Sequence, residues 1–455
     1  MKHLKFTKTL ALTAAVSAAL AVNTASGQQR VNPEGTGQVL LYPFYNTENT
    51  NDTYMHVANT KAENKAVKVR FMEHVNSEVV LEFNTYLGGL DVMALALTAT
   101  DTGGTTIVTT DSTCTVPELG TTNSPYNGTQ TELADGSILR TQPLVNFLYD
   151  DETNDSITRT SMGHMEVIEL GVVDSSIDIT DCDALNELWQ TGGAWKADSS
   201  TDVTAPTGGL YGYSLFLNPE KAFSMTLNPV AIDGWAKAGT NYHTGPADMG
   251  PELDDGSPKA IIYTDGDYVE VNYTSKSNGG ALATSAALAA SSLSNEVLVE
   301  DTIAAETDWV FTFPTRRFFN SGSAAVAPFT TVYADEDCEE IDMYLHDRTG
   351  ETVSGANSFL PSDLIEKTEA CNAVSVAVFG DNSALRANTY AEIEYPYQNG
   401  WTGMSFDRAL PADDAGVTVK GLPVIGFAGT RIVNDVMSYG SSIDHKSAVV
   451  TSAGS

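Results

Sequence analysis

The chain has 455 residues, 42% of them hydrophobic, which is enough for about two or three domains with real cores and excludes a disordered polyelectrolyte. Acids outnumber bases 59 to 24, a formal charge of −35, although only 18% of residues are charged. Such a balance repels nucleic-acid phosphates and anionic lipid headgroups and excludes both as partners, while it favours divalent cations.

Residues 1–27 read as a secretory signal. Lys2, Lys5 and Lys8 precede an apolar run over residues 9–22, and Ala25, Ser26 and Gly27 supply the small residues of a cleavage site. A cut near Gly27 makes Gln28 the new N-terminus and leaves 21 bases against 59 acids. The run is too short to span a bilayer comfortably, and no later run reaches about 18 apolar residues. The ten-residue alternating segments and aromatic closing strand of an outer-membrane barrel are also missing. No membrane insertion is therefore expected, and with no cysteine near the cut, no lipid anchor. The expected address is secreted or cell surface.

The first mature segment, residues 30–45, ends in an apolar run. It reads as an ordinary first strand or, alternatively, as a strand donated to a neighbouring subunit to build a fibre. Residues 54–59, 66–74 and 79–84 alternate with period two. Val67, Val69 and Phe71 point one way and Lys68 and Arg70 the other, which predicts a hairpin with one dry and one wet face. With residues 91–98 the strands read as a meander in a sandwich. Residues 110–135 are a Thr-rich polar loop containing Cys114. Further strands are predicted at 164–171, 209–217, 223–230, 268–273, 308–313, 373–379, 388–394, 403–406 and 421–429.

Helix signals are few. Asp181 is placed to cap a helix through residues 184–189 that Gly192 ends. Residues 281–293 are Ala-rich, a helix or a small-residue linker. Residues 237–259 and the acidic cluster at 335–340 are polar loops, either surface insertions or binding sites.

The fold class is therefore mainly β, an antiparallel β-sandwich of immunoglobulin-like or jelly-roll-like parts with a few short helices. One part covers residues 28–275, a helix or linker 276–295, and a second part 296–455. Four cysteines in an exported chain suggest disulfides. Cys114–Cys182 and Cys338–Cys371 are favoured because each pair stays local within one part. No C-x-x-C pairing supports zinc.

No G-x-S-x-G, H-E-x-x-H or P-loop pattern occurs, so no catalytic residue is assigned and the chain is expected not to be an enzyme. Ser441, Asp444 and His445 lie close in sequence, which counts for little in a triad. Five tryptophans, Trp189, Trp195, Trp235, Trp309 and Trp401, suit core or rim packing better than sugar stacking. Calcium is the one cofactor weighed. Asp150, Asp151 and Asp155, then Asp265 and Asp267, then Asp413 and Asp414, offer hard oxygen ligands in loops, although each group alone reads best as a solvated turn.

Several stretches carry a resemblance: residues 66–71 (AVKVRF) with Asn76, Ser77, Phe83, Asn84, Tyr86 and Leu87, then 166–169 (EVIE), 205–211 (APTGGLY), 307–316 (TDWVFTFPTR), 399–401 (NGW) and 421–427 (GLPVIGF). Together they resemble a family of uncharacterised secreted proteins of Gram-negative bacteria. The resemblance implies export and a mostly β fold, and it supplies no catalytic residues. The 67–71 strand also resembles part of an immunoglobulin-like sandwich.

The function expected on these grounds is that of an exported, non-enzymatic structural or surface protein, such as a self-assembling subunit of a layer, fibre or matrix bridged by divalent cations. A calcium-dependent adhesin or glycan-binding protein is the alternative, and a secreted hydrolase the third.

Overall fold

The computed structural model describes residues 27–122, 127–147, 149, 156–246, 248–264, 266–320, 325–332, 338–350, 365–433 and 438–452. It is mainly β, in sheets that are antiparallel except where Ala391–Ile393 pairs in parallel with Val374–Phe379, and that do not close into a barrel. In chain order the principal strands of the first half are β1 (Val39–Asn46), β2 (Asp52–Asn59), β3 (Asn64–Glu73), β4 (Val79–Leu87), β5 (Val92–Ala99), β6 (Met162–Val173), β7 (Leu210–Asn218) and β8 (Phe223–Leu227). One sheet runs Arg30–Val31, Val230–Asp233, β1, β6, β3, β4, Thr115–Val116; the facing sheet runs β8, β7, β2, β5, Thr105–Thr109, Ile138–Pro143, Thr129–Glu132.

Period-two alternation sorts the side chains. Val67, Val69 and Phe71 of β3, Leu81 and Phe83 of β4 and Val167 of β6 meet Met55 and Val57 of β2 and Leu95 and Leu97 of β5 in a dry core between the sheets. The 66–74 and 79–84 segments do form the expected hairpin, with Arg70 opposite Glu82 and Lys68 opposite Asn84. The expected meander is not formed. β2 pairs with β5 in the facing sheet, while β3 and β4 stay in the first. The loops at 60–63 and 88–91 carry the chain from one sheet to the other, and they lock together through the Leu90 amide donating to Lys61 O.

The expected wet face is also corrected. Lys68 and Arg70 are as buried as the valines. A second layer, from helices α1 (Cys182–Leu188) and α2 (Ala194–Ala197) and the chain between residues 234 and 258, covers that face with Trp195, Trp235, Tyr242 and Leu253. Nor is β1 available for donation to a neighbour. It lies between Val230–Asp233 and β6 and is buried along its whole length.

Helix α3 (Gly279–Leu288) lies where the Ala-rich segment was expected to be a helix or linker. Nine of its ten residues are buried, which a helix of small apolar residues on every side permits. The fully buried Gln29 ties it to the N-terminal segment: its Nε2 donates to Gly280 O and its Oε1 accepts from Thr284.

The second half holds β9 (Ser292–Leu298), β10 (Ala305–Thr312), β11 (Val374–Phe379), β12 (Asn399–Ser405), β13 (Ile425–Val433) and β14 (Ser438–Asp444). One sheet runs Ile365–Ala370, Glu339–Asp347, β12, β9, Lys446–Ala448; the other runs Ala391–Ile393, β11, β10, β13, β14. The halves share a core in which Phe44, Phe216 and Met225 pack on Val310, Val376, Val378 and Phe427. Thr312 donates across the junction to Pro43 O at 2.5 Å, and Val374 N to His74 O at 2.9 Å.

Both disulfides, Cys114–Cys182 and Cys338–Cys371, form with the expected pairing, and such bonds persist in oxidising surroundings outside the cytosol. No helix among the described residues is long and apolar enough to cross a membrane.

Candidate functional site

The strands β3, β4 and β6 carry a buried polar network on the covered face. Arg70 donates through Nε and Nη2 to Glu82 at 3.0 Å and through Nη2 to Met249 O at 2.5 Å. Arg317, from the second half, forks onto Glu166 at 2.8 and 3.2 Å. Burial works against the Glu166 carboxylate, yet Arg317 and Arg70 hold its pKa below the usual range. Beside them Lys65 donates to Glu169 at 2.6 Å, both side chains without exposure. Among the described residues Lys68 donates only to Asp248 O, at 3.2 Å, and burial pushes its ammonium down to about 8. The Oδ1 of Asn84, opposite Lys68, has no hydrogen-bond partner among the described residues.

Above this network a cleft of about 560 Å³ opens at the surface. Its aromatic wall is Trp189 and Trp195, and its polar rim includes Glu118, Asn186, Gln190, Asp198 and Asp248. Trp195 stacks on Tyr86 at 5.3 Å, and His243 sits 4.6 and 5.0 Å from the two indoles. A relay fixes the rings: Trp189 Nε1 donates to Tyr86 Oη at 3.0 Å, the Tyr86 hydroxyl donates to His243 Nε2 at 3.0 Å, and His243 Nδ1 donates to Ser199 O at 2.7 Å. Burial pushes His243 down to about 4, so it is the neutral imidazole that this tautomer requires. Trp195 is used up in packing, whereas Trp189 is partly buried and lines the cleft.

The Cys114–Cys182 bond staples this wall, because Cys182 opens α1 and Asp181 caps it by accepting from Ala184 N at 3.0 Å. Its closed loop of 68 residues gives about 4 kcal/mol on loop entropy alone. Replacing both cysteines with serine is expected to cost about 2–4 kcal/mol and to red-shift tryptophan emission before global unfolding, as the α1 wall loosens; a urea titration followed by fluorescence checks both. A second cleft, on the other side of the same disulfide, is lined by turns whose Asp91 and Asp111 carboxylates already accept amides from Gly88, Val92, Ala94 and Thr113.

Of the calcium candidates, Asp150, Asp151, Asp155 and Asp265 lie outside the described residues, and Asp267 is exposed at the start of the strand Asp267–Asn272. Asp413 is taken up by the backbone: Oδ1 accepts from Ala415 N and Val417 N, both at 2.8 Å, and Oδ2 from Asn272 N at 3.0 Å. Many loop acids do the same in a D-x-S/T pattern. Asp111, Asp135, Asp174, Asp178, Asp198 and Asp347 each accept the amide two residues on. Hydrogen bonds from Ser137, Thr180 and Ser200 hold Asp135, Asp178 and Asp198 below the ordinary carboxyl range. The acid excess is thus partly turn chemistry. One cluster among the described residues is tight enough for a cation, Cys338, Glu369 and Cys371, and its two sulfurs are spent on the disulfide.

The sequence-adjacent Ser441, Asp444 and His445 form no triad. His445 turns inward between Trp309 and Phe311, with Nε2 at 3.1 Å from Val310 O and Nδ1 at 3.1 Å from the Asn295 amide. A Ser–His contact does exist elsewhere: Ser77 Oγ lies 2.9 Å from His164 Nε2. Both residues are buried, and no carboxylate bonds His164 Nδ1 among the described residues. Of the five tryptophans, Trp195, Trp235 and Trp309 are core, while Trp401 is 42% exposed and stacks on His346 on an open sheet face.

No family model, curated protein or solved structure matches this chain.

Proposed function

We propose that this is an exported, non-enzymatic surface protein that holds a neutral saccharide in the Trp189 cleft. The observation that carries this is the Trp189 ring, partly exposed in the cleft yet held by the Tyr86–His243 relay and ringed by amides and carboxylates. A preset aromatic platform with polar groups around it suits the apolar face and equatorial hydroxyls of a sugar at small entropic cost. Export rests on the leader, with cleavage near Gly27, and on the two disulfides. A non-enzymatic role is supported by where the strongly perturbed groups lie: His164 and Asp308 are in packed interiors, and His243, in the cleft wall, has both ring nitrogens engaged by Tyr86 and Ser199.

Titration with a panel of neutral oligosaccharides, read by tryptophan fluorescence, is expected to give saturable quenching. Trp189→Ala should weaken binding at least tenfold, about 1.4 kcal/mol, with an unchanged circular dichroism spectrum. Equal binding by the variant would remove the cleft from consideration.

A second reading, a self-assembling layer or fibre subunit, is supported by the strand Thr129–Glu132. It is the outermost strand of its sheet among the described residues and exposed at all four positions. Electron microscopy of residues 28–455 with calcium and with chelator tests it: ordered sheets or filaments favour assembly, and single particles in both conditions count against it.

A further inference from the structure

A second cavity, of about 490 Å³, opens where turns from both halves converge. Its lining includes Asn49, Lys221, Glu306, Arg386, Tyr390 and Arg431. Arg431 is spoken for, since its guanidinium pairs with Glu306 and its Nε donates there at 2.9 Å. Among the described residues the Lys221 ammonium and the Arg386 guanidinium make no hydrogen bond and no ion pair within 4 Å; the Arg386 charge acts on Glu306 only through space, and its Nε is buried without a partner. The remaining acid in the lining, Asp381, is exposed and pairs with neither. With Arg431 the lining carries three cations against Glu306 and Asp381, a local positive excess that stands out in a chain with 59 acids and 24 bases.

The backbone around the cavity is strained as well. Eight non-glycine residues among those described have left-handed φ, and five lie in or beside this lining: Asn49 (+51°), Thr50 (+65°), Ala222 (+52°), Ala304 (+44°) and Arg386 (+55°). Asn tolerates that region, but alanine and arginine do so only at a cost that glycine would avoid. Strain of this kind gathers where geometry serves a ligand. Here it presents Arg386 into the cavity, while the carbonyl of the same residue is pinned by Asn49 Nδ2 at 2.7 Å.

A guanidinium fork and an ammonium together match a planar carboxylate. The rim adds the ring of Tyr390, 44% exposed, and the Asn382 amide. We propose that this cavity binds the carboxylate of a uronic-acid unit in an acidic saccharide, with Arg386 and Lys221 holding the carboxylate and Tyr390 facing the sugar ring. This site is separate from the Trp189 cleft and stands without it.

The test is calorimetric titration of the full mature chain with tetragalacturonate and with its methyl-esterified, neutral counterpart at low salt. The acid form is expected to bind at least tenfold more tightly than the ester, and added salt to weaken it. Arg386→Gly should reduce that binding at least tenfold while the melting temperature holds or rises, because glycine accepts the left-handed φ that arginine resists. Lys221→Ala, at an exposed position, gives a second variant with the same expected loss. Trp189→Ala should bind tetragalacturonate unchanged, so failure of the cleft and failure of this cavity are told apart. Equal binding of acid and ester, undiminished binding by both cavity variants, binding of inorganic phosphate or acetate as tight as the uronate, or no uronate binding at all would each overturn the proposal.

Discussion

Arg317→Met is expected to lower the stability of the protein by about 3–5 kcal/mol, the range for removing one partner of a buried ion pair. Glu166 has no exposure, and its two oxygens take the two arms of the Arg317 fork. Arg70 remains at 3.6 Å but is engaged with Glu82 and two carbonyls. The substitution therefore strands a carboxylate in the interior. It also removes a pin between the halves, because Arg317 belongs to the second half and β6 to the first. The double variant Arg317→Met with Glu166→Met should be less destabilised than the single one, since it leaves no unpaired charge at similar volume.

The pH dependence gives an independent check. In the native protein the Glu166 pKa is depressed, so its contribution is present above the ordinary carboxyl value and is lost as pH falls through the lower folded value. Without Arg317 burial dominates and the folded pKa rises above the unfolded one, so the variant's penalty grows as pH rises. The gap between the two proteins should thus narrow from pH 7 to pH 4. Urea midpoints at both pH values measure it; a gap that stays constant would mean that the charge on Glu166 is not what the fork stabilises.

The β pattern was legible in the sequence because alternation is local: Val67, Val69 and Phe71 face a dry core for the reason the sequence suggests. What alternation cannot show is what covers the other face. Lys68 and Arg70 read as solvent-facing because nothing local marks residues 234–258 as their cover. A hint lay in β4, where Tyr86 shares the face of Glu82 and Asn84; an aromatic there implies a second layer. The cleft itself was not legible. Tyr86, Trp189, Trp195 and His243 span more than 150 positions, and only the sheet, α1 and one disulfide bring them together. Other loop acids show how much of the acid excess is local turn chemistry. Six aspartates outside the calcium candidates accept the amide two residues on, a local bond that the D-x-S/T spacing already encodes. Nor does any sequence pattern announce the Arg386 cavity, since its cations come from separate turns and its mark is a backbone angle.

Acidification from pH 7 to pH 4 should pull stability in opposite directions, and the residues responsible can be separated. His164 and His243 are buried, and burial depresses each to about 4. Their neutral forms contribute fully above the unfolded value of about 6.5, and that contribution is lost as pH falls toward 4, about 3 kcal/mol for each. Asp308 behaves oppositely. It is fully buried in β10, and burial raises its carboxyl to about 7 although Ser383 Oγ and the amides of Ala384 and Leu385 donate to it. Its contribution is complete below the unfolded value near 4 and is lost as pH rises to 7, about 4 kcal/mol. His445, packed between Trp309 and Phe311, is pushed down further by burial, to about 3, and adds a loss of the same sign. The three histidines outweigh the one aspartate, so the wild type should lose stability in acid, with the aspartate masking part of the loss. Asp308→Asn removes the mask: whatever constant offset the lost hydrogen bonds impose, its fall between pH 7 and pH 4 should be steeper than that of the wild type by about 4 kcal/mol. His243→Phe should flatten the fall by about 3 kcal/mol. Denaturant midpoints at pH 4, 5.5 and 7 for the three proteins decide the matter. Parallel profiles for wild type and Asp308→Asn would mean that the three donors to Asp308 keep it ionised in the fold, so that hydrogen bonding, and not burial, sets the charge at the centre of β10.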